Sequence, residues 1–184
     1  MSDKTDAELI EGFKAGQIEG FNEIVKRYQQ KVYWVARRIL GNHEDADDVV
    51  QDVFLKTYEA LKNFRGDSNL FTWLYRITIN VSLHNIRKHK FKKIIPFDEL
   101  LNNILHGSTQ ADEPLLQQEY NTIIENAIAR LPAKQRAVFT MRYYDEMTFE
   151  DIARILKKSV GGTKANYFHA VRSISKYVNK EYEQ

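Results

Sequence analysis

Apolar residues recur at intervals of three and four along most of this chain, and this period constrains the fold more than any other feature. Between Gln17 and Leu40 they fall at Phe21, Ile24, Val25, Tyr28, Val32, Val35, Ala36 and Ile39. An α-helix gathers such positions onto one face, whereas a half-buried strand needs strict alternation. The spacing predicts a long amphipathic helix, with Gly41 as its left-handed stop. Upstream, Thr5-Asp6-Ala7-Glu8 reads as a capping box, in which hydroxyl and carboxylate each satisfy a free backbone donor. A short helix carrying Leu9, Ile10 and Phe13 follows and ends near Gly16. Asn42 caps a third helix, about His43 to Lys62, that buries Ala46, Val49, Val50, Val53, Phe54 and Leu61. No stretch alternates as a strand would, so the fold class is all-α.

The stretch from Phe64 to Asn80 starts as a polar turn and becomes a helix that runs on to about Lys90. Its expected apolar stripe is Phe71, Leu74 and Ile77. Arg87, Lys88, Lys90, Lys92 and Lys93 follow, and no acidic residue stands between Arg76 and Phe97. A loop of small polar groups feeding a basic, aromatic-bearing helix suits a nucleic-acid strand whose bases are unstacked.

Regularity breaks after this helix. Ile94, Ile95, Phe97, Leu100, Leu101, Ile104 and Leu105 cluster, but Pro96, Gly107 and Pro114 punctuate them, and Gly107 to Asp112 reads as linker. The expected organisation is two small helical domains, 1–92 and 114–184, joined by a flexible linker over 93–113. In the second domain Leu116, Tyr120, Ile123, Ile124, Ala127, Ile128 and Leu131 mark one helix, and Pro132 opens another that buries Ala137, Val138 and Met141. Thr148-Phe149-Glu150-Asp151 caps a short helix with Ile152, Ala153, Ile155 and Leu156. A glycine-containing turn at Lys158–Gly162 leads to a last helix with Tyr167, Ala170, Val171, Ile174 and Tyr177. Short helix, tight turn and longer helix make a helix-turn-helix.

Several chemistries find no residues here. The chain has no cysteine, which removes disulfides and thiolate metal sites. His43, His84, His89, His106 and His169 lack metal spacing, and the acidic cluster at Glu44–Asp52 lacks the alternation and central glycine of a calcium loop. There is no phosphate-cradling glycine loop and no nucleophile elbow. The expectation is a protein that is not an enzyme and takes no cofactor. No apolar run approaches the roughly 20 residues of a membrane span, and the polar N-terminus is not a signal peptide. The expected location is the cytoplasm, without membrane insertion.

A net charge of +2 conceals segregation. Acidic residues crowd Glu44–Asp52 and basic ones follow Arg76, which points to two partners of opposite character. Asp45, Asp48 and Asp52 share one helix ridge, either a dock for a basic coiled coil or a solvated face. Trp73 reads as a core anchor before a stacking platform, and His84, Arg87 and Lys88 as phosphate contacts or solvated groups. The last helix offers Thr163, Lys164, Asn166, Tyr167, His169 and Arg172 near its start. Asn pairs bidentately with adenine, and Lys or Arg with guanine or phosphate; Tyr167 fits the groove and the core equally.

Four motifs, in order, resemble the small two-domain extracytoplasmic-function (ECF) group of bacterial RNA polymerase sigma factors. Asp45-Ala46-Asp47-Asp48-Val49-Val50-Gln51-Asp52-Val53-Phe54 is similar to the segment that binds the polymerase clamp coiled coil. Phe64-Arg65-Gly66-Asp67-Ser68, with Phe71-Thr72-Trp73-Leu74-Tyr75-Arg76-Ile77 and Asn80, resembles the minus-ten recognition and melting segment. Leu131 to Phe139 with Arg142-Tyr143 resembles the start of the C-terminal domain. Thr148-Phe149-Glu150-Asp151-Ile152-Ala153 and Ser159-Val160-Gly161 resemble its helix-turn-helix.

The resemblance implies a sigma factor that binds core RNA polymerase, recognises promoter DNA and opens it. The alternative is a stand-alone helix-turn-helix regulator. Asp45, Asp48, Gln51, Asp52 and Phe54 would seat the first domain on the polymerase. Asn63, Phe64, Arg65, Gly66, Asp67, Ser68 and Asn69 would form a pocket for a flipped minus-ten base. Trp73, Arg76, Asn80, His84, Arg87 and Lys88 would line the strand. Ser159, Gly161, Thr163, Lys164, Asn166, Tyr167, His169 and Arg172 would meet the minus-thirty-five duplex, and an anti-sigma factor would be a further partner. Where the family commonly has Thr, a branched residue, Lys, Ser and Arg after the glycine, this chain has Gly162, Thr163, Lys164, Ala165 and Asn166. Asn in place of Arg favours adenine over guanine.

Overall fold

The computed structural model of the chain describes residues 4–92 and 115–182. Contacts divide it into two units, Met1–Asn85 and Ile86–Gln184. The described residues form eight helices: α1 Asp6–Lys14, α2 Ile18–Leu40, α3 His43–Leu61, α4 Leu70–Lys92, α5 Leu115–Ala129, α6 Ala133–Tyr143, α7 Phe149–Leu156 and α8 Val160–Tyr182. The expected linker over 93–113 and the start at Pro114 lie outside the described residues.

The capping box forms as expected. Thr5 Oγ1 accepts from the Glu8 amide at 3.3 Å, and the Glu8 carboxylate accepts from the Thr5 amide at 2.6 Å. Those bonds hold the Glu8 carboxyl below its ordinary pKa. Asp6, one residue on, takes the Tyr28 hydroxyl at 2.5 Å and the Arg27 guanidinium at 2.7 Å, tying the start of α1 to the middle of α2. Burial, reinforced by Asp6, pushes the Tyr28 hydroxyl up to about 12. At the other end of α1 the helices meet backbone to backbone. A Cβ on Gly20 would stand 2.3 Å from the Leu9 carbonyl oxygen, so glycine is what permits that approach.

Gly41 (φ 88°) ends α2 in the left-handed conformation, its amide donating to the Arg37 carbonyl at 2.9 Å, and the Asn42 side chain accepts from the Asp45 amide at 2.8 Å. The core is aliphatic: Ile24, Ile39, Val49, Val53, Leu61, Leu74 and Ile79 are completely buried. Each such side chain contributes about 1.5–3 kcal/mol relative to exposure. The two buried threonines of α3 and α4 donate back along their own helices, Thr57 to the Val53 carbonyl at 2.7 Å and Thr78 to the Leu74 carbonyl at 2.9 Å. They therefore enter the core without an unpaired hydroxyl.

Two expected stripes are corrected. Val50 is only half-buried in α3. In α4 the buried arc is Leu70, Leu74, Tyr75, Thr78, Ile79, Val81 and Ser82, while Phe71 and Ile77 are half-buried. Sequence reading chose the bulkier apolar residues; the helix turns two small polar ones inward instead.

In the second unit α5 and α6 pack on α8, with Ala127, Ile128, Leu131, Phe139, Ala170 and Ile174 buried together. Arg136 is buried beside this core. One of its terminal nitrogens donates to the carbonyls of Ala129 at 2.7 Å and Leu131 at 3.3 Å, closing the end of α5. Burial brings its guanidinium down to about 10. Thr148 caps α7 through the Asp151 amide at 3.1 Å. The helix-turn-helix forms, but its expected glycine turn does not. Lys157 (φ 52°) takes the left-handed position, and α8 begins at Val160, so Gly161 and Gly162 sit inside its first turn. Ser159 makes this possible by accepting the Gly162 amide at 3.1 Å as a cap.

Because the Leu9 carbonyl is backbone, Gly20→Ala is expected to destabilise the first unit by about 1–3 kcal/mol, as overpacking does; urea unfolding followed by helical circular dichroism measures it.

Candidate nucleic-acid interface

The loop between α3 and α4 is short and ordered by its own backbone. Amides of Asn63 and Phe64 donate to the carbonyls of Ala60 and Leu61 at 3.0 and 3.1 Å, winding down α3. Gly66 (φ 80°) reverses the chain with open space around its Cα. The Asn69 side chain then accepts from the Thr72 amide at 2.7 Å and caps α4. Asn63, Arg65, Gly66, Asp67, Ser68 and Asn69 are exposed, and only Phe64 turns inward. Its ring lies 5.1 Å from that of Trp73, which is half-buried. Trp73 is thus a platform that shapes the loop more than a free stacking surface.

Beyond the loop, Arg76, Asn80, His84, Arg87 and Lys88 are all exposed. Successive steps of four, four and three from Arg76 to Arg87, with Lys88 four beyond His84, keep them on one arc of α4, opposite Leu74, Thr78 and Val81. The side chains of residues 89–92 are not described, so Lys90 and Lys92 add nothing here.

On α3, Asp48, Gln51 and Asp52 are exposed in a row. Asp45 is half-buried, its carboxylate accepting from the Asn42 amide group at 2.7 Å, so it serves the cap. Phe54 is 8% exposed and belongs to the core rather than to a docking face. The residue that continues the ridge is Leu55, 64% exposed, one turn beyond Asp52. Sequence reading left it out of both the buried stripe and the docking set.

The α8 candidates separate sharply. Lys164, His169 and Arg172 are exposed, as is Gly161. Ser159 is exposed but its hydroxyl caps the helix. Thr163 is 1% exposed and donates to the Ser159 carbonyl at 3.0 Å, which removes it from any groove contact. Asn166 is half-buried and donates one N–H to the Gly162 carbonyl at 2.7 Å, which holds its side chain along the helix. Tyr167 stacks on Phe139 at 6.0 Å and meets Phe149 at 5.6 Å, which makes it a core residue. The outer face instead carries Phe168, 62% exposed, beside Ala165. Phe149 lies beneath two cations, Arg142 at 5.4 Å and Lys164 at 5.8 Å from its ring centre. Arg142 also donates to the Met147 carbonyl at 3.1 Å, so the ring and the turn after α6 steady the base of Lys164.

Among the described residues no group of three or more histidine, aspartate or glutamate side chains could hold a metal, and no helix is long and apolar enough to cross a membrane.

Residues 24–92 match the family model for sigma-70 region 2, and residues 121–174 match that for sigma-70 region 4. The RNA polymerase sigma-H factor of Pseudomonas aeruginosa is 30% identical over 183 residues, covering 96% of this chain and 95% of its own. The ECF RNA polymerase sigma-E factor of Escherichia coli K12 is 32% identical over 183 residues, covering 95% and 94%. This chain belongs to the ECF sigma factors. Solved structures agree on the fold. CnrH, in complex with the cytosolic domain of CnrY, superposes with a TM-score of 0.64 at 20% identity, covering 95% of this chain and 97% of CnrH. The sigma factor RpoE of Bartonella quintana, in complex with the anti-sigma factor NepR, gives 0.64 at 21%, covering 86% and 96%. A sigma factor carries both regions; a stand-alone helix-turn-helix regulator has no use for the first.

In this sigma factor Lys164→Ala is expected to lower the slope of log affinity against log salt for promoter binding by about one, the loss of one phosphate contact. Asn166→Ala is expected to leave the minus-thirty-five sequence preference unchanged. Filter binding across salt, and selection from randomised minus-thirty-five sequences, measure the two.

Proposed function

We propose that the exposed groups divide the work of promoter opening between them. Asp48, Gln51 and Asp52, with Leu55 at their end, form the dock for core RNA polymerase. Charges of one sign beside one large apolar group suit a basic coiled coil, since the leucine supplies desolvated contact and the carboxylates steer. The loop at 63–69 receives an extruded minus-ten base, and Arg76, Asn80, His84, Arg87 and Lys88 follow the displaced strand. Lys164, His169 and Arg172 bind the minus-thirty-five duplex, with Phe168 and Ala165 placed for apolar contact with thymine methyl groups. Domain limits of 1–92 and 114–184 with a linker between belong to the same reading. So do a cytoplasmic location and a protein that is not an enzyme. An anti-sigma factor is a further proposed partner; RpoE of Bartonella quintana is solved in complex with the anti-sigma factor NepR.

The observation that carries this reading is the exposed arc of α4, which leaves the capped loop directly and bears no acidic residue. Opening DNA this way requires no covalent chemistry. Extruding a base costs a few kcal/mol, and contacts made only to the unpaired strand offset it while the polymerase dock holds the factor in place.

Permanganate probing of promoter complexes, reconstituted from core polymerase and this protein, is expected to reveal reactive thymines upstream of the start site; protection throughout would refute the reading. Asp52→Lys is expected to cut holoenzyme recovery at least about tenfold in a pull-down with no loss of helicity, because it reverses one charge in the ridge. Undiminished recovery would remove the ridge from the dock.

A further inference from the structure

The first unit displays a second basic and aromatic face that the roles above leave unused. It lies on α2, where no acidic residue occurs from Ile24 to His43. Trp34 projects from that helix with 50% of its surface in water. The ring it touches, Tyr33, stands at 73° to it rather than stacked upon it. Lys31, one turn earlier on the same flank, is exposed and held in place. Its ammonium lies 5.4 Å from the Phe71 ring centre and 5.7 Å from that of Tyr28, over two rings stacked with a 17° tilt. Phe71 is the second residue of α4 and follows the Asn63–Asn69 loop. Lys31 therefore lies against the start of α4, close after the loop proposed to receive the extruded base.

A cation fixed beside an open indole is the pairing that single-stranded nucleic acid uses. The base stacks on the ring and the phosphate takes the charge, whatever the sequence. Duplex DNA offers phosphates but keeps its base faces covered, so it would use Lys31 and leave Trp34 idle. We propose that Lys31 and Trp34 form a second contact for single-stranded DNA, which extends the path of the displaced strand from the Asn63–Asn69 loop onto α2. The proposal rests on the promoter-opening reading and deepens it: the strand is gripped at the loop and again on α2, and the α2 grip is indifferent to sequence.

The test places the photo-crosslinking residue p-benzoylphenylalanine at position 34 in the full-length protein, assembled with core polymerase on a promoter carrying a pre-melted bubble. Crosslinks to a single strand within the bubble, lost when the same promoter is held fully paired, are expected. Crosslinks to polymerase alone, to paired DNA, or to nothing would overturn the proposal. In parallel, Trp34→Ala is expected to shorten the lifetime of open complexes at least about fivefold, the lower end of base–aromatic stacking. Trp34→Phe, which keeps a ring, is expected to restore most of it, and an unchanged lifetime in Trp34→Ala would reject the contact. Run-off transcription by the unaltered protein in the same reactions separates failure of this contact from failure of the promoter-opening reading itself.

Discussion

The surface proposed for the displaced strand depends on the division of α4 into two arcs. Leu70, Leu74, Tyr75, Ile79 and Val81 are pulled into the core, and that burial sets the rotation of the helix. Once the rotation is set, Arg76, Asn80, His84 and Arg87 have nowhere to go but water. The exposed arc is thus a consequence of the buried one. Thr78 fits the arrangement because its hydroxyl finds a carbonyl within its own helix. The loop before α4 is held at both ends, by the unwinding of α3 and by the Asn69 cap, so it approaches the arc in one geometry.

The second unit shows the same competition between helix and ligand at finer scale. Side chains near the start of α8 are short and polar, and short polar side chains bond readily to their own backbone. Ser159, Thr163 and Asn166 all do so, capping or bracing the first turns. The groups left for DNA are those too long or too apolar to be captured: Lys164, Arg172 and Phe168. Asn166, where the family commonly has arginine, is among the side chains that brace the helix in this way.

Much of this was legible in one dimension. The period of apolar residues delivered the helices, and the caps at Thr5, Asn42 and Thr148 and the stop at Gly41 stand where their side chains or backbone demanded. The polar loop and the basic arc of α4 were also visible, because nothing in the sequence competes for those residues. Misplacements came where the apolar period and the family resemblance disagreed. The period set Phe54 in the buried stripe of α3 and left Tyr167 open between core and groove; the resemblance gave both contact roles, and the structure buries Phe54 and stacks Tyr167 on Phe139. Leu55 and Phe168, exposed one position away, drew no notice.

What the sequence determined by itself is the all-helical class, the helix ends and the segregation of charge, because these follow from side-chain chemistry within a few residues of the site. Only the tertiary structure decided which large apolar side chains stand in water: Leu55, Phe168, and Trp34 one turn beyond a Lys31 seated on Phe71. It also decided that Gly20 must lack a side chain. Those outcomes depend on contacts between helices distant in the chain, where packing chooses a rotation that local preference leaves nearly degenerate.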